Sequence, residues 1–363
     1  MVDISAFSDP IVSAIYEHYE KRNDSEEPRG YLGGSIIGKE CKRAIWYDFR
    51  MATRKRFPGR MMRLFETGHL AEPRFVKNLR DIGCMVWDCD PATGKQFSYK
   101  DVFGHMSGHL DGVAKYVPTG GKTPHLLEFK THSAKSFKEL KDKGVKLSKP
   151  QHYAQMIVYC GWANLTRALY MAVNKDTDEL YAERLEFDPV VFHQLIAKAE
   201  EIIFSDNPPA KISEDPKFFV CNMCDHKDVC HNHKVPAMSC RTCVHATPER
   251  TGDARWSCAK DSDKNISSIP IHVQRVGCKH HLPLPFLLTY AEPIDAGQDW
   301  IEFKRKDTGA TFIVLSSAAE HPSHKPPGFI YYSHEISAVT DHKAICDQDI
   351  ETFRTTFGAT IIS

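Results

Sequence analysis

Apolar and polar positions change their spacing several times along the chain, and each change marks an expected element. Residues 10–22 carry apolar side chains on one helical face, so an amphipathic helix is expected there, with the polar, glycine-containing stretch 23–34 after it. Residues 61–82 again show helical spacing, marked by Leu64, Phe65, Phe75, Val76 and Leu79, and Pro73 should kink or restart that helix. Strand-like segments follow at 84–88, 97–103, 107–116 and 124–131. The Lys-rich stretch 133–149 reads as a partly helical loop, and 150–161, "PQHYAQMIVYCG", as a helix with proline near its start. "RALYMAVN" and "ELYAERLEF" form an expected hairpin, and 188–205 a helix. After the loop "NPPAKISEDPKFF", "WIEFKRKDTGATFIVL" reads as a second hairpin turning at Asp307-Thr308-Gly309.

This order predicts an α/β (α+β) fold: a mixed central sheet flanked by helices, followed by a Cys-rich zinc-binding module and a small β-rich region. The expected boundaries are 1–234, 235–285 and 286–363. There is no internal repeat or low-complexity segment. An apolar content of 42% with 26% charged residues is that of an ordinary water-soluble chain. No apolar run approaches the roughly 20 residues needed to span a bilayer, and the N-terminal stretch lacks the basic start and apolar core of a secretory signal. A cytoplasmic protein with no membrane partner is expected.

The formal net charge is zero, so bulk charge does not single out nucleic acid. Local charge does more. Residues 50–63 carry six basic residues and no acid, and 130–149 carry seven lysines against Glu139 and Asp142. Exposed runs of this kind can neutralise phosphates and release their counterions; the plain alternative is a solvated face.

The chemistry is concentrated in "GHMSGHLDG" and "LLEFKT". Glu128 and Lys130 are two apart on an expected strand and so share one face. Asp111 stands sixteen intervening residues earlier, before Gly112, where the chain can turn and a ligand can approach closely. Two carboxylates brought together repel unless a divalent cation neutralises them. Hard oxygen donors suit Mg²⁺ or Mn²⁺, and a lysine beside them can position water or face charge growing on a phosphate. These are the parts of a metal-ion hydrolase.

In order and flanks these segments resemble the PD-(D/E)XK nuclease superfamily, in particular its RecB-like and lambda-type exonuclease branch, with Leu110 where the superfamily signature has proline. The resemblance implies a restriction-endonuclease-like core and a Mg²⁺- or Mn²⁺-dependent DNA nuclease, an exonuclease of recombination, repair or phage DNA processing. It implies metal ligation by Asp111, Glu128 and the Phe129 carbonyl, with Lys130 orienting the attacking water. "TGHLAEP" offers Glu72 or His69 as the upstream ligand, and "QHYAQMIVY" offers Gln155 and Tyr159, four apart and on one helical face. The DNA strand would be guided by Arg54, Lys55, Arg56, Arg60, Lys135 and Lys138. A single-strand annealing protein or a helicase is the kind of protein partner implied. The competing reading is a non-catalytic nucleic-acid-binding or assembly factor that keeps the fold as a platform.

Twelve cysteines in an expected cytoplasmic chain point to metal rather than disulfides. Cys221, Cys224 and Cys230 form a C-x2-C-x5-C triplet lacking a clear fourth ligand, with His226, His231 and His233 nearby and Cys41 far upstream. One cysteine before the nuclease motifs and three after them resembles the iron–sulfur nucleases related to RecB, including those linked to CRISPR spacer acquisition. That resemblance implies a 4Fe–4S cluster on Cys41, Cys221, Cys224 and Cys230, with zinc in the same thiolates as the alternative. Closing a loop of about 180 residues, the cluster would be structural. A second set, Cys240, Cys243, Cys258 and Cys278, opens with C-x2-C and fits a tetrahedral zinc site; Arg241, Arg250 and Arg255 around it could grip DNA. Cys84, Cys89, Cys160 and Cys346 read as buried small residues.

Overall fold

A computed structural model describes residues 9–25, 29–53, 56–260, 268–320, 322–323, 325 and 328–359. The chain divides into two compact units, Met1–Gly38 with Arg56–Glu200, and Lys39–Lys55 with Glu201–Ser363. In chain order the elements are α1 (Pro10–Ser25), β1 (Leu32–Gly33), α2 (Lys42–Phe49), α3 (Gly59–Asp81), β2 (Met85–Trp87), β3 (Ser98–Asp101), β4 (Met106–His109), β5 (Gly112–Lys115), β6 (His125–His132), α4 (Ala134–Ser148), α5 (Pro150–Ala163), β7 (Arg167–Asn174), β8 (Leu180–Glu186) and α6 (Pro189–Ile203). Short elements then follow: α7 (Phe219–Asn222), α8 (Lys227–Cys230), β9 (Ala246–Pro248), β10 (Trp256–Cys258) and α9 (Ile271–Gln274). The chain ends in β11 (Ala291–Ala296), β12 (Trp300–Arg305), β13 (Thr311–Leu315), β14 (Phe329–Tyr332), α10 (Ser333–Ala338) and α11 (Gln348–Phe357).

The first unit is a mixed five-stranded sheet, ordered β2-β5-β6-β7-β8, in which only β6 and β7 run parallel. Helices α3, α4 and α5 pack on it, the mixed α/β architecture expected. Because β6 is central and covered on both faces, it buries charge as well as carbon. Leu127 and Phe129 join the core formed with Phe75, Val76 and Leu79 of α3, where Phe75 and Phe129 stack at 4.9 Å. Leu64 and Phe65, earlier on the same helix, stay exposed.

Three local expectations are corrected. The helix over 59–81 neither stops nor restarts at Pro73 but is a single element. The Lys-rich stretch is helical through 134–148, its lysines outside and Phe137, Leu140 and Val145 buried, with only Gly144 (φ 71°) leaving helical geometry. The expected strand 107–116 is two strands in two sheets. β4 pairs with β3 and β1, whereas β5 pairs with β2 and β6. The hand-over falls at Leu110 and Asp111, so the acid stands where the chain passes from one sheet to the other. Gly112 next to it has φ 151°, and a Cβ there would meet the Trp87 carbonyl at 2.7 Å. Only glycine fits.

The second unit holds the hairpin β9–β10 and a four-stranded sheet, β11-β12-β13-β14, including the expected β12–β13 hairpin. Its core gathers Leu288, Phe303, Phe312, Val314, Tyr331 and Ile336. Residues 39–55 belong to this unit: α2 buries Ala44, Ile45, Trp46, Tyr47 and Phe49, and the Trp46 indole donates to the Ser205 carbonyl at 2.9 Å.

Candidate active site and thiol cavities

The register Gly112↔Leu127 and Val113↔Leu126, continued one step, sets Asp111 across from Glu128. The side chain closes the pairing: Asp111 Oδ2 accepts the Phe129 N–H at 2.8 Å. Glu128 is fully buried, 0% exposed. Its Oε1 pairs with the Lys130 ammonium, and its Oε2 accepts from Gln155 Nε2 at 3.0 Å. Lys130 Nζ also donates to the Phe129 carbonyl at 3.2 Å. Asp111, Glu128, Phe129, Lys130 and Gln155 therefore meet, as expected.

Burial pushes the Glu128 carboxyl up to about 7; Lys130 opposes this, and Asp111 and Glu72 add to it. Asp111 is also raised by burial, against the pull of Lys130 and the Phe129 N–H. Half-buried Glu72 is raised by its own burial and by Asp111. For Lys130, burial works against the charge, but Glu128, Asp111 and Glu72 outweigh it and hold its pKa above the ordinary value. Three carboxyls crowd one ammonium in a place poor in water. An added divalent cation would relieve that crowding, so the donor set fits a hard metal ion. His69 and Glu72 stay together, His69 Nδ1 lying 3.3 Å from Glu72 Oε1 on the exposed side of α3.

Helix α5 presents His152, Gln155 and Tyr159 at spacings of three and four, on one face. The Tyr159 ring lies in a slot made by Gly34 and Gly108, where added Cβ atoms would come within 2.6 and 2.5 Å of it. It stacks on Trp162, centroids 5.5 Å apart. Tyr159 is buried and its phenol pKa is raised, first by burial and then by Glu128 and Asp111.

Beside this lies a polar network not anticipated from sequence. Tyr170 OH is 2.8 Å from His132 Nε2 and 3.0 Å from His152 Nδ1. Burial and nearby lysines push His132 down to about 4 and His152 to about 3, so both rings are neutral near pH 7. The available signal was spacing: His132 continues the Glu128–Lys130 face of the strand, and His152 precedes Gln155 by three.

In the second unit Cys41, Cys221, Cys224 and Cys230 line one cavity of about 20 Å³, space for about one water-sized sphere. Of the histidines left open as a fourth ligand, His226 is engaged elsewhere, Nδ1 with Thr53 Oγ1 at 2.9 Å and Nε2 with Asp48 at 3.2 Å. His233 meets Thr289 Oγ1 at 2.8 Å. Cys240, Cys243, Cys258 and Cys278 line a second cavity, also about 20 Å³. All twelve cysteines are free thiols. Among the described residues no three or more His, Cys, Asp or Glu side chains already stand in a metal-holding arrangement. Cys84 and Cys160 are buried as expected, but Cys89 and Cys346 are only half-buried.

The basic residues divide. Arg56, Arg60, Lys135 and Lys138 are exposed, whereas Arg54 and Lys55 lie outside the described residues. Arg50, the first of its run, is 1% exposed and packs over the Trp46 and Trp256 rings. Arg241 is equally buried, and Arg250 lies over Phe204 at 4.1 Å. A DNA grip by Arg241 is thereby excluded, because its guanidinium is spent on Gln274 and the Phe49 carbonyl, at 2.9 and 2.7 Å. Among the described residues no helix is long and apolar enough to cross a membrane.

The sequence matches no protein-family model and no curated protein. Among solved structures, SSO0001 is similar at 14% identity over 62% of this chain and 98% of its own, with a TM-score of 0.38. An alkaline exonuclease (LHK-Exo) from Laribacter hongkongensis is similar at 14% identity over 51% of this chain and 90% of its own, TM-score 0.36. Its complex with dAMP gives 12%, 52%, 90% and 0.34. Likenesses this loose carry no argument about chemistry.

Proposed function

We propose that the chain is a metal-dependent DNA nuclease that hydrolyses phosphodiester bonds, acting as an exonuclease in recombination, repair or phage DNA processing. One observation carries the reading: a fully buried glutamate held by a lysine and a glutamine, with an aspartate bonded to the amide between them. A surface strand has no use for that arrangement, and burying such charges is costly unless they serve something.

Asp111, Glu128 and the Phe129 carbonyl would hold Mg²⁺ or Mn²⁺, with Glu72 or His69 assisting. When bound, the ion supplies Lewis acidity and neutralises charge on the phosphate. Gln155 fixes the carboxylate plane of Glu128. Lys130, kept charged by its acidic neighbours, positions the attacking water and faces the negative charge that grows on the phosphate. Tyr159, wedged between two glycines, keeps α5 in register over the strand. Exposed Arg56, Arg60, Lys135 and Lys138 are the candidates for backbone phosphate contacts, with Arg54 and Lys55 proposed from sequence alone. The DNA end would reach the protein through an annealing protein or helicase, in a cytoplasmic setting.

For Cys41, Cys221, Cys224 and Cys230, four free thiols on one cavity support a structural metal site, read as a 4Fe–4S cluster from the arrangement of motifs. The cavity size favours zinc as the second reading, because about 20 Å³ admits a single ion and a four-iron cluster would need the thiols to spread. Iron and sulfide analysis after anaerobic purification separates the two.

The test of function is cleavage of end-labelled single- and double-stranded DNA with Mn²⁺, with Asp111→Ala and Lys130→Ala as controls. Loss of cleavage in both variants is expected. Equal DNA loss from wild type and both variants would defeat the enzyme reading, and DNA binding without cleavage by the wild type would leave the platform reading in its place.

A further inference from the structure

The second thiol cavity lies outside everything the nuclease reading uses. Its four cysteines come from three separate places: the Cys240–Cys243 turn, the end of β10 and the segment after α9. Chance seldom brings four thiols from such distant positions onto one cavity of about 20 Å³. The turn is built for negative sulfur. Ser239 caps it, its side chain accepting from Thr242 N while Thr242 Oγ1 accepts from Ser239 N. The backbone N–H of Leu282 points at Cys243 Sγ at 3.5 Å, and the His245 amide donates to the same sulfur. Amides aimed at sulfur favour thiolate over thiol.

The histidines on the cavity wall sort themselves. His281 uses both ring nitrogens, Nδ1 with Ser333 Oγ at 2.6 Å and Nε2 with Thr242 Oγ1 at 3.3 Å. His245 Nε2 is buried and has no hydrogen-bond partner. It is the one nitrogen among these two rings that could compete with a thiol.

Arg241 stands between the first two cysteines of the set. Its guanidinium lies over the Trp256 and Phe49 rings, 4.6 and 5.1 Å from their centroids. Whatever fixes the turn also fixes this buried cation.

We propose that Cys240, Cys243, Cys258 and Cys278 bind one zinc ion through four thiolates, a structural site that sets the Cys240–Cys243 turn and the Arg241 clasp within it. Thiolate donors in a closed set of four select zinc in a non-catalytic role. Each ligating thiol gives its proton to solvent, so binding releases up to about four protons and strengthens as pH rises.

The full chain is purified and its zinc and iron are counted for wild type, for Cys243→Ser with Cys258→Ser, and for Cys221→Ser with Cys224→Ser. The first pair should lose one zinc per chain that the second pair keeps, whatever metal the other cavity holds. His245→Ala should keep its zinc and, loaded with Co²⁺ instead, the same tetrahedral thiolate absorption as wild type. Should the Cys243/Cys258 variant fail to fold, wild type alone decides the matter. Cys240, Cys243, Cys258 and exposed Cys278 should resist iodoacetamide until a chelator removes the zinc. Alkylation of Cys278 with the zinc still bound, or equal zinc in wild type and the Cys243/Cys258 variant, overturns the proposal. Loss of zinc in His245→Ala overturns the four-thiolate ligand set.

Discussion

The carboxylate site and the second thiol cavity solve opposite problems with buried acids. Around β6 every buried charge has a protein partner: Glu128 has Lys130 and Gln155, and Asp111 has an amide. In the thiol cavity the neighbours are mostly more thiols. Burial and then Cys243, Cys278 and Cys258 push the Cys240 thiol up to about 12, and burial holds Cys243 up to about 11 despite two amides. The first region is assembled by its own residues and stands ready to take a cation. The second is comfortable only as neutral thiols until a cation arrives. A lysine inside the chain does for one what a metal must do for the other.

The largest test of this contrast is Asp111→Asn, which keeps shape and removes one negative charge. Mn²⁺-dependent cleavage should fall by about 10³-fold, while the thermal midpoint moves by only a few degrees. Retention of activity within a factor of about two would mean that Asp111 is merely a turn residue.

Lys130→Met turns the first region into the second's condition, a buried acid without its cation. At pH 8 the variant should lose roughly 3 kcal/mol in urea unfolding, because Glu128 is left charged and unpaired. At pH 5 the loss should be much smaller, since Glu128 takes a proton. In wild type the sign follows from the same group. A carboxyl raised from 4.5 to about 7 contributes stability that is present below pH 4.5 and lost as pH rises through about 7. Mn²⁺ affinity, followed by calorimetry, should strengthen over that same interval, and Glu128→Gln should flatten both profiles. Equal destabilisation of Lys130→Met at both pH values would break the comparison.

Gly108→Ala puts a methyl group 2.5 Å from the Tyr159 ring and should cost about 1–3 kcal/mol in unfolding, with a matching loss of cleavage as α5 shifts. The smallest effect is expected for Tyr170→Phe. Two neutral histidines lose their hydroxyl partner, at about 1 kcal/mol, with cleavage within a few-fold of wild type. A much larger loss of cleavage would assign that network a part in the chemistry.

What the amino-acid string determined alone is what depends on short spacing. Glu128, Lys130 and His132 share a face because strands alternate, and His152, Gln155 and Tyr159 share one because helices return every three to four residues. The C-x2-C pairs are equally local. Tertiary structure alone decided three other matters. It split 107–116 between two sheets at Asp111, since strand pairing is chosen by partners far away in the chain. It drew residues 39–55 into the second unit, bringing Cys41 to the cavity of Cys221, Cys224 and Cys230. And it buried Arg50 and Arg241 between aromatic rings, although a run of basic residues reads as surface. Periodicity says which side chains point together; only the folded chain says what they point at.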